Sequence, residues 1–142
     1  RTGRTFRAER VPLCFMRRYA HSSTETRKIV KEEERCIRFL DDKGFVHQLE
    51  FLHGKGSACD SCRWDGICAG MFSMARTFDE RELSPIFEDP MPVIRSVLGA
   101  EPSEALLERL EARRGRRSPS EQPSQEDRAK YMMLPLFRPA VR

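Results

Sequence analysis

The sequence has no long apolar stretch, and this absence limits where the chain can reside. No run of about 18 consecutive apolar residues, the length that a membrane-spanning helix requires, occurs anywhere in it. The basic residues at the N-terminus also lead into no hydrophobic region of the kind found in a secretory signal. We therefore expect a soluble cytoplasmic protein with no membrane partner.

The sequence also lacks the common motifs of hydrolases and transferases. It contains no glycine-rich phosphate-binding loop, no nucleophile elbow and no HExxH pattern. It has a single Cys-x-x-Cys pair, whereas a zinc ribbon has two. An independent hydrolase or transferase is therefore not expected, and whether the chain takes part in an enzyme is left open.

Apolar residues are scarce for a chain of 142 residues. They make up 39% of it against 34% charged residues, and the mean hydropathy is -0.62. A metal centre would offset this shortage by linking loops that apolar burial alone could not hold. The net charge of +4 is modest. Much of it comes from arginines in segments expected to be flexible, so nucleic-acid binding is not favoured.

The pattern along the chain predicts one domain with loose ends. Residues 1–10 show no periodicity and predict an extended lead-in, and residues 11–114 predict a domain that carries the cysteines, whose spacing indicates a cluster-binding role. Residues 115–130 have no large apolar residue and predict a disordered linker, and residues 131–142 form an apolar tail. Because the first residue is not methionine, we expect a fragment, a processed product or one portion of a longer reading frame.

The middle of the chain predicts a β-hairpin. Two runs in which apolar and polar residues alternate, 35–40 and 45–51, flank the turn-forming stretch Asp41-Asp42-Lys43-Gly44. Upstream, the apolar run 11–16 contains Pro12, which suits the edge or the beginning of a strand. Strands followed by short helices indicate a small α+β domain, held together by its metal centre.

Helices are predicted on both sides of this hairpin. Residues 23–34 begin with helix-starting side chains, and residues 69–75 predict a short helix that packs its apolar residues inward. A further helix is predicted over residues 103–113, where three leucines form one apolar stripe. Pro90 and Pro92 indicate a loop between the last two helices.

Three closely spaced cysteines concentrate the chemistry of the chain. Cys59 and Cys62 form the Cys-x-x-Cys pair, which places two sulfurs on one tight loop, and Cys68 follows after five intervening residues. In a reducing compartment, thiolates at this spacing are metal ligands more often than disulfide partners. Gly66 would let the backbone fold around the sulfurs and direct amides toward a negatively charged centre. We expect a thiolate-bound metal centre with these three ligands.

A fourth ligand is needed, because thiolate clusters and structural zinc sites usually have four. Cys14 and Cys36 are the candidates. We favour Cys14, because its Pro-Leu-Cys-Phe setting can present a side chain rigidly. Cys36 lies in an amphipathic strand pattern, where a small buried hydrophobe is the plain interpretation.

The favoured cofactor is a 4Fe-4S iron-sulfur cluster, and zinc is the alternative. A zinc ion would fit a zinc-stabilised module that binds protein or RNA, with a Cys3His site completed by His21, His47 or His53. Trp64 and Arg63 in the cysteine loop have two interpretations. They shield a cluster from water and tune its potential, or the tryptophan caps the small core while the arginine lies in solvent.

The segments that carry these cysteines resemble a known module. The matching pieces are Pro12-Leu13-Cys14-Phe15, Cys59-x-x-Cys62-x5-Cys68-Ala69-Gly70 and Glu82-Leu83-Ser84-Pro85-Ile86, within residues 11–90. Together they resemble the C-terminal auxiliary-cluster region of radical S-adenosylmethionine enzymes, called the SPASM domain or, in shortened form, the twitch domain. The resemblance implies a hairpin and a helix that hold one auxiliary 4Fe-4S cluster beside a catalytic barrel. Its ligands would be Cys14, Cys59, Cys62 and Cys68.

Two departures from that pattern limit what the resemblance implies. Phe72 occupies the position of a further cysteine in the full pattern, so a second cluster is not expected. The chain also has no Cys-x-x-x-Cys-x-x-Cys triad for the catalytic cluster, so it should not start radical chemistry alone. The resemblance therefore implies a part that works with a radical S-adenosylmethionine barrel in cis or in trans, or a separate binding or electron-relay module.

Overall fold

Helices, two short strands and several 3-10 turns make up the structure, a computed structural model that describes residues 5–38, 45–48, 51–72 and 80–116. The regular elements are α1 (Thr24–Lys31), β1 (Arg35–Arg38), β2 (Phe45–Gln48), α2 (Met91–Leu98) and α3 (Glu104–Ala112). Short 3-10 helices cover Leu13–Phe15, Arg17–Ser22, Ser57–Cys59 and Glu80–Glu82. This mixture agrees with the small α+β class that the sequence predicts.

Helix α1 begins where the sequence predicts a helix start. The Ser23 side chain accepts a hydrogen bond from the backbone N–H of Thr26 at 3.2 Å, which satisfies one of the free amides of the first turn. Glu32 ends the helix in the left-handed conformation, with φ 56°. The predicted helix is confirmed, although it ends at Lys31 and does not reach Glu34.

Strands β1 and β2 pair antiparallel. Arg35 lies opposite Gln48, and Cys36 lies opposite His47. Both strands fall within the runs in which the sequence predicts strands. Residues 39–44, which include the predicted turn, lie outside the described residues.

Helix α2 occupies a segment that the sequence predicts to be a loop, and that prediction is wrong. Pro90 is the residue that caps the helix, and Pro92 lies in its first turn. Amides of the first turn have no partner within the helix, so proline fits there without loss of a hydrogen bond. Gly99 ends the helix at φ 73° and donates its N–H to the carbonyl of Arg95 at 2.8 Å.

Helix α3 confirms the helix predicted over residues 103–113. The Ser103 side chain accepts a hydrogen bond from a first-turn amide at 3.3 Å. Leu110 is 5% exposed but Leu107 is 36% exposed, so only part of the predicted apolar stripe contacts the core. Arg109 donates to two carbonyl oxygens at the end of α1, at 3.0 and 3.4 Å, and thereby joins the two helices.

The apolar run 11–16 forms a 3-10 turn, and the prediction of a strand edge there is wrong. Pro12 has φ -57°, and its carbonyl accepts the N–H of Phe15 at 3.1 Å. The fixed φ of proline favours a turn at this position. Leu13 is buried by the turn, so the neighbouring cysteine lies against the core.

Residues 69–72 are not helical, although the sequence predicts a helix over residues 69–75. Gly54 and Met71 exchange two backbone hydrogen bonds, with N–O distances of 2.9 and 2.6 Å. Gly70 has φ 97°, which an α-helix excludes and glycine adopts readily. The helix prediction is therefore wrong for this part, and the rest of its range is not among the residues that the structure describes.

The described part of the lead-in is attached to the domain. Ala8 pairs with Ser23 in a parallel bridge, and Glu9 accepts a hydrogen bond of 2.6 Å from an arginine of β1. Residues 1–4 and 117–142 lie outside the described residues. The predicted apolar tail and nearly all of the predicted linker belong to that second range.

Within the described part of the chain, no helix is long and apolar enough to cross a membrane.

The apolar core is built around the cysteine segment. The core joins the first 3-10 turns, α1, the cysteine segment, α2 and α3. Its buried members are Leu13, Met16, Ala20, Ile29, Val30, Phe51, Cys62, Trp64, Ile67, Ala69, Ile86, Ile94, Val97 and Leu110.

Candidate metal centre

The cysteine segment folds as a series of tight turns. The backbone N–H groups of Cys62, Asp65 and Cys68 donate to carbonyl oxygens three or four residues earlier, at 3.2, 3.3 and 3.0 Å. Such turns shorten the path between the cysteines. The chain therefore returns on itself, and Cys59, Cys62 and Cys68 reach the same cavity.

That cavity is lined by Cys14 together with Cys59, Cys62 and Cys68. The cavity has a volume of about 20 Å³. Pockets for drug-sized organic molecules have volumes of roughly 300–1,000 Å³, so this cavity is too small for one. The structure thus brings together the four cysteines that the sequence analysis names.

The other candidate ligands lie elsewhere. Cys36 is exposed on β1, and His47 lies opposite it on β2. His21 is exposed, and the ring of His53 packs edge-on against Phe72 with 5.2 Å between the ring centroids. Burial lowers the pKa of His53, because a charged imidazole would lose hydration there. Of these residues, Cys36, His21 and His53 do not line the four-cysteine cavity.

Backbone amides are directed at two of the thiols. The N–H of Ile86 donates to Cys62 Sγ at 3.3 Å, and the N–H of Gly70 donates to Cys68 Sγ at 3.4 Å. Hydrogen bonds of this kind stabilise sulfur that carries negative charge, as thiolate ligands do. Ile86 belongs to the segment before α2, so that segment helps to form the cavity wall.

Two of the thiols, those of Cys59 and Cys68, are harder to ionise than an exposed cysteine. Burial raises the pKa of Cys68 to about 11, although backbone hydrogen bonds from Leu13 and Gly70 and the charge of Lys55 oppose this. Burial also raises the pKa of Cys59. Because the thiolate is the metal ligand, metal binding here would release protons.

The thiols border the cavity without meeting at one point. Among the residues that the structure describes, no group of three or more His, Cys, Asp or Glu side chains is arranged to hold a metal ion. A single tetrahedral zinc ion with Zn–S bonds of about 2.3 Å needs its four sulfurs within about 3.8 Å of one another. Within the described residues, the thiols therefore line a cavity and do not form a ready-made zinc site.

No protein family, curated protein or solved structure matches this chain. What the centre can do must therefore follow from its own side chains and from the groups that surround them. Besides the cysteines, the cavity wall contains a buried ion pair, a tryptophan and apolar residues of the first 3-10 turn and the segment before α2.

The buried ion pair joins Lys55 and Asp65. The Lys55 Nζ lies 2.7 Å from Asp65 Oδ1 and 2.8 Å from the Asp65 carbonyl oxygen. The backbone N–H of Gly115 donates to Asp65 Oδ2 at 2.7 Å. Sequence reasoning missed Lys55, because a lysine between Gly54 and Gly56 is typical of an exposed loop and carries no signal of burial.

Gly66 also has a role in packing that the sequence does not suggest. A Cβ atom on Gly66 would lie 2.3 Å from the carbonyl oxygen of Leu110, so the absence of a side chain permits close contact with α3. Arg113, which follows α3, donates to the carbonyl oxygens of Gly66 at 3.1 Å and Phe51 at 3.0 Å. The end of α3 therefore holds the cysteine segment in place.

Trp64 and Arg63, the two neighbours in the cysteine loop, lie in different environments. Trp64 is 6% exposed, belongs to the core and also lines the cavity, and its Nε1 donates to the Glu88 carbonyl at 2.9 Å. Trp64 can thus both fill the core and exclude water from the cavity. Arg63 is exposed, and its guanidinium lies 3.4 Å from the Phe87 carbonyl oxygen.

Proposed function

We propose that this chain binds an auxiliary 4Fe-4S cluster through Cys14, Cys59, Cys62 and Cys68. The observation that carries the proposal is that these four side chains, from two separate segments, line one small cavity. The residues fit such a group, because four thiols are a complete ligand set and amides already donate to two of the sulfurs. When bound, the cluster would supply one-electron transfer or a point of attachment for a substrate.

A cluster is favoured over a single zinc ion by the cysteine pattern that the chain shares with SPASM and twitch domains, and by the absence of the second Cys-x-x-Cys pair that a zinc ribbon has. The wall formed by Leu13, Trp64 and Ile86 also limits the access of water, which is one of the means by which proteins tune such clusters.

The chain would act as an accessory part of a radical S-adenosylmethionine enzyme. This role rests on the resemblance to SPASM and twitch domains and on the missing Cys-x-x-x-Cys-x-x-Cys triad. The catalytic barrel would come from the rest of a longer chain or from another subunit. In this proposal β1 and β2 form the hairpin of the module, and the cluster links the loops that carry its ligands.

Anaerobic reconstitution with iron and sulfide tests the proposal. The expected product is brown and contains about four irons and about four sulfides per chain, with charge-transfer absorption in the visible range. A colourless protein that takes up one zinc and no iron would contradict it. That outcome would favour the zinc-stabilised interaction module.

Matched cysteine variants test the ligand set. Cys14→Ser and Cys62→Ser each remove one thiol from the cavity and are expected to lose most of the bound iron. Cys36→Ser removes an exposed thiol on β1 and should bind as much iron as the wild type. Iron loss in Cys36→Ser together with full loading of Cys14→Ser would assign the fourth ligand to the strand and overturn the proposed set.

A further inference from the structure

The ion pair of Lys55 and Asp65 lies in the wall of the four-cysteine cavity. Both residues line the cavity together with Cys59 and Cys68. The Lys55 side chain is 1% exposed and that of Asp65 is 3% exposed. Removal of two charges from water is costly, and an apolar pair of similar volume would often serve stability as well. A purely structural role therefore explains this pair poorly.

Asp65 fixes the position of the Lys55 ammonium. The ammonium has three N–H donors, of which one meets Asp65 Oδ1 and another meets the Asp65 carbonyl oxygen. The second carboxylate oxygen accepts from the backbone of Gly115, so the carboxylate itself is held from two sides. The positive charge thus has a defined place beside the thiols.

The Lys55 ammonium lies in the same cavity wall as the ligand sulfurs of Cys59 and Cys68. Little water reaches it there, because its side chain is 1% exposed. A positive charge in such a wall favours negative charge on the sulfurs, and the negative charge of Asp65 acts in the opposite direction.

We propose that Lys55 raises the reduction potential of the bound cluster and that Asp65 is the positioning residue that holds its ammonium. This inference rests on the proposed function. A cluster with four thiolate ligands becomes more negative when it takes one electron from an added reductant, and no bond forms or breaks. A fixed positive charge in a wall shielded from water stabilises the reduced form more than the oxidised form.

Redox titration of reconstituted variants, followed by the electron paramagnetic resonance of the reduced cluster, tests this inference. Lys55→Gln removes the charge but keeps an N–H donor for Asp65. We expect its equilibrium constant for reduction to fall at least tenfold, which is about 59 mV for one electron. Asp65→Asn keeps both oxygen acceptors that hold the ammonium and removes the negative charge, so it should shift the potential upward. Lys55→Arg keeps the charge and should remain close to the wild type.

A charge-matched control lies at the end of α1. Lys31→Gln removes the same charge from a residue outside the cavity wall and should leave the potential unchanged. Equal potentials in the wild type and Lys55→Gln, with about four irons in both, would overturn the inference and leave the proposed function intact. A wild type that binds no cluster would overturn both.

Lys55→Gln leaves the buried carboxylate of Asp65 without its ion-pair partner and can therefore fail to fold. A double variant tests the inference in that event. In Lys55→Gln with Asp65→Asn, no buried charge is left without a partner. We expect its equilibrium constant for reduction to be at least tenfold lower than that of Asp65→Asn. Equal potentials in these two variants would equally overturn the inference.

Discussion

Pro12 determines where the sulfur of Cys14 lies. It begins the 3-10 turn of Leu13–Phe15, which buries Leu13 and places Cys14 at the cavity. Cys36, the other candidate, lies on a strand and is exposed. At the residue scale, the proposed ligand set therefore depends on the backbone conformation that each cysteine inherits from its neighbours.

Gly66 has no room for a single added methyl group. In Gly66→Ala the Cβ would lie 2.3 Å from the Leu110 carbonyl oxygen, and backbone must move to relieve that contact. We expect a loss of about 1–3 kcal/mol in the free energy of unfolding, the range of overpacked cores. Urea denaturation of the reconstituted protein measures it.

Gly54 provides the control for that measurement. The nearest atom to a Cβ on Gly54 is the Met71 carbonyl oxygen at 3.4 Å, which is close to an ordinary contact. Gly54→Ala should therefore cost less than Gly66→Ala, under about 1 kcal/mol. Equal losses in the two variants would show that the contact with α3 does not explain the glycine.

At the element scale, α3 stabilises the cysteine segment through Arg113. This guanidinium donates to the carbonyl oxygens of Gly66 and Phe51, which belong to two different segments around the cavity. Arg113→Ala leaves both carbonyls without that donor and should cost about 1.5–3 kcal/mol in the free energy of unfolding. It should also lower the yield of iron on reconstitution.

Arg95 on α2 is the matched control for Arg113. It pairs with Glu101 on the surface, where both side chains are largely exposed. Exposed pairs contribute about 0–1 kcal/mol, so Arg95→Ala should change neither stability nor iron yield to a comparable extent. If Arg113→Ala matched Arg95→Ala in both measurements, α3 would not be needed to hold the cysteine segment.

The elements that the sequence predicts well are those with a local signal. Ser23 and Ser103 cap α1 and α3 as their positions suggest. Pro90 and Pro92 lead to the wrong prediction of a loop, because proline is common both in loops and in the first turn of a helix. The non-helical path at Gly70 depends on the pairing of Met71 with Gly54, a contact between separate segments that no local pattern encodes.

The residues of the site also differ in whether a local sequence signal predicts them. The spacing of Cys59, Cys62 and Cys68 predicts that they lie at one cavity, because they are joined by tight turns. The buried pair of Lys55 and Asp65 depends on how the loop folds against α3, through contacts such as that of Gly115. Sequence spacing could not predict it.

On the scale of the whole molecule, the core is modest and the cavity lies inside it. Removal of iron should therefore destabilise the domain, because bound metal contributes to folding. We expect the thermal midpoint to fall by at least about 10 °C after chelation, since 1 kcal/mol corresponds to about 4–8 °C in a small domain. Calorimetry of the loaded and stripped protein measures the difference.

The Cys36→Ser variant is the control for that experiment, because it should lose as much stability on chelation as the wild type. Cys62→Ser should start near the stripped value and change little when the chelator is added. A stripped wild type as stable as the loaded protein would mean that the fold does not depend on the metal.

Anomalous diffraction at the iron absorption edge, from crystals of the reconstituted protein, tests the central claim most directly. The account predicts about four iron positions inside the cavity bounded by Cys14, Cys59, Cys62 and Cys68, with one thiolate on each iron. Iron found outside that cavity, or a single zinc ion within it, would contradict the account.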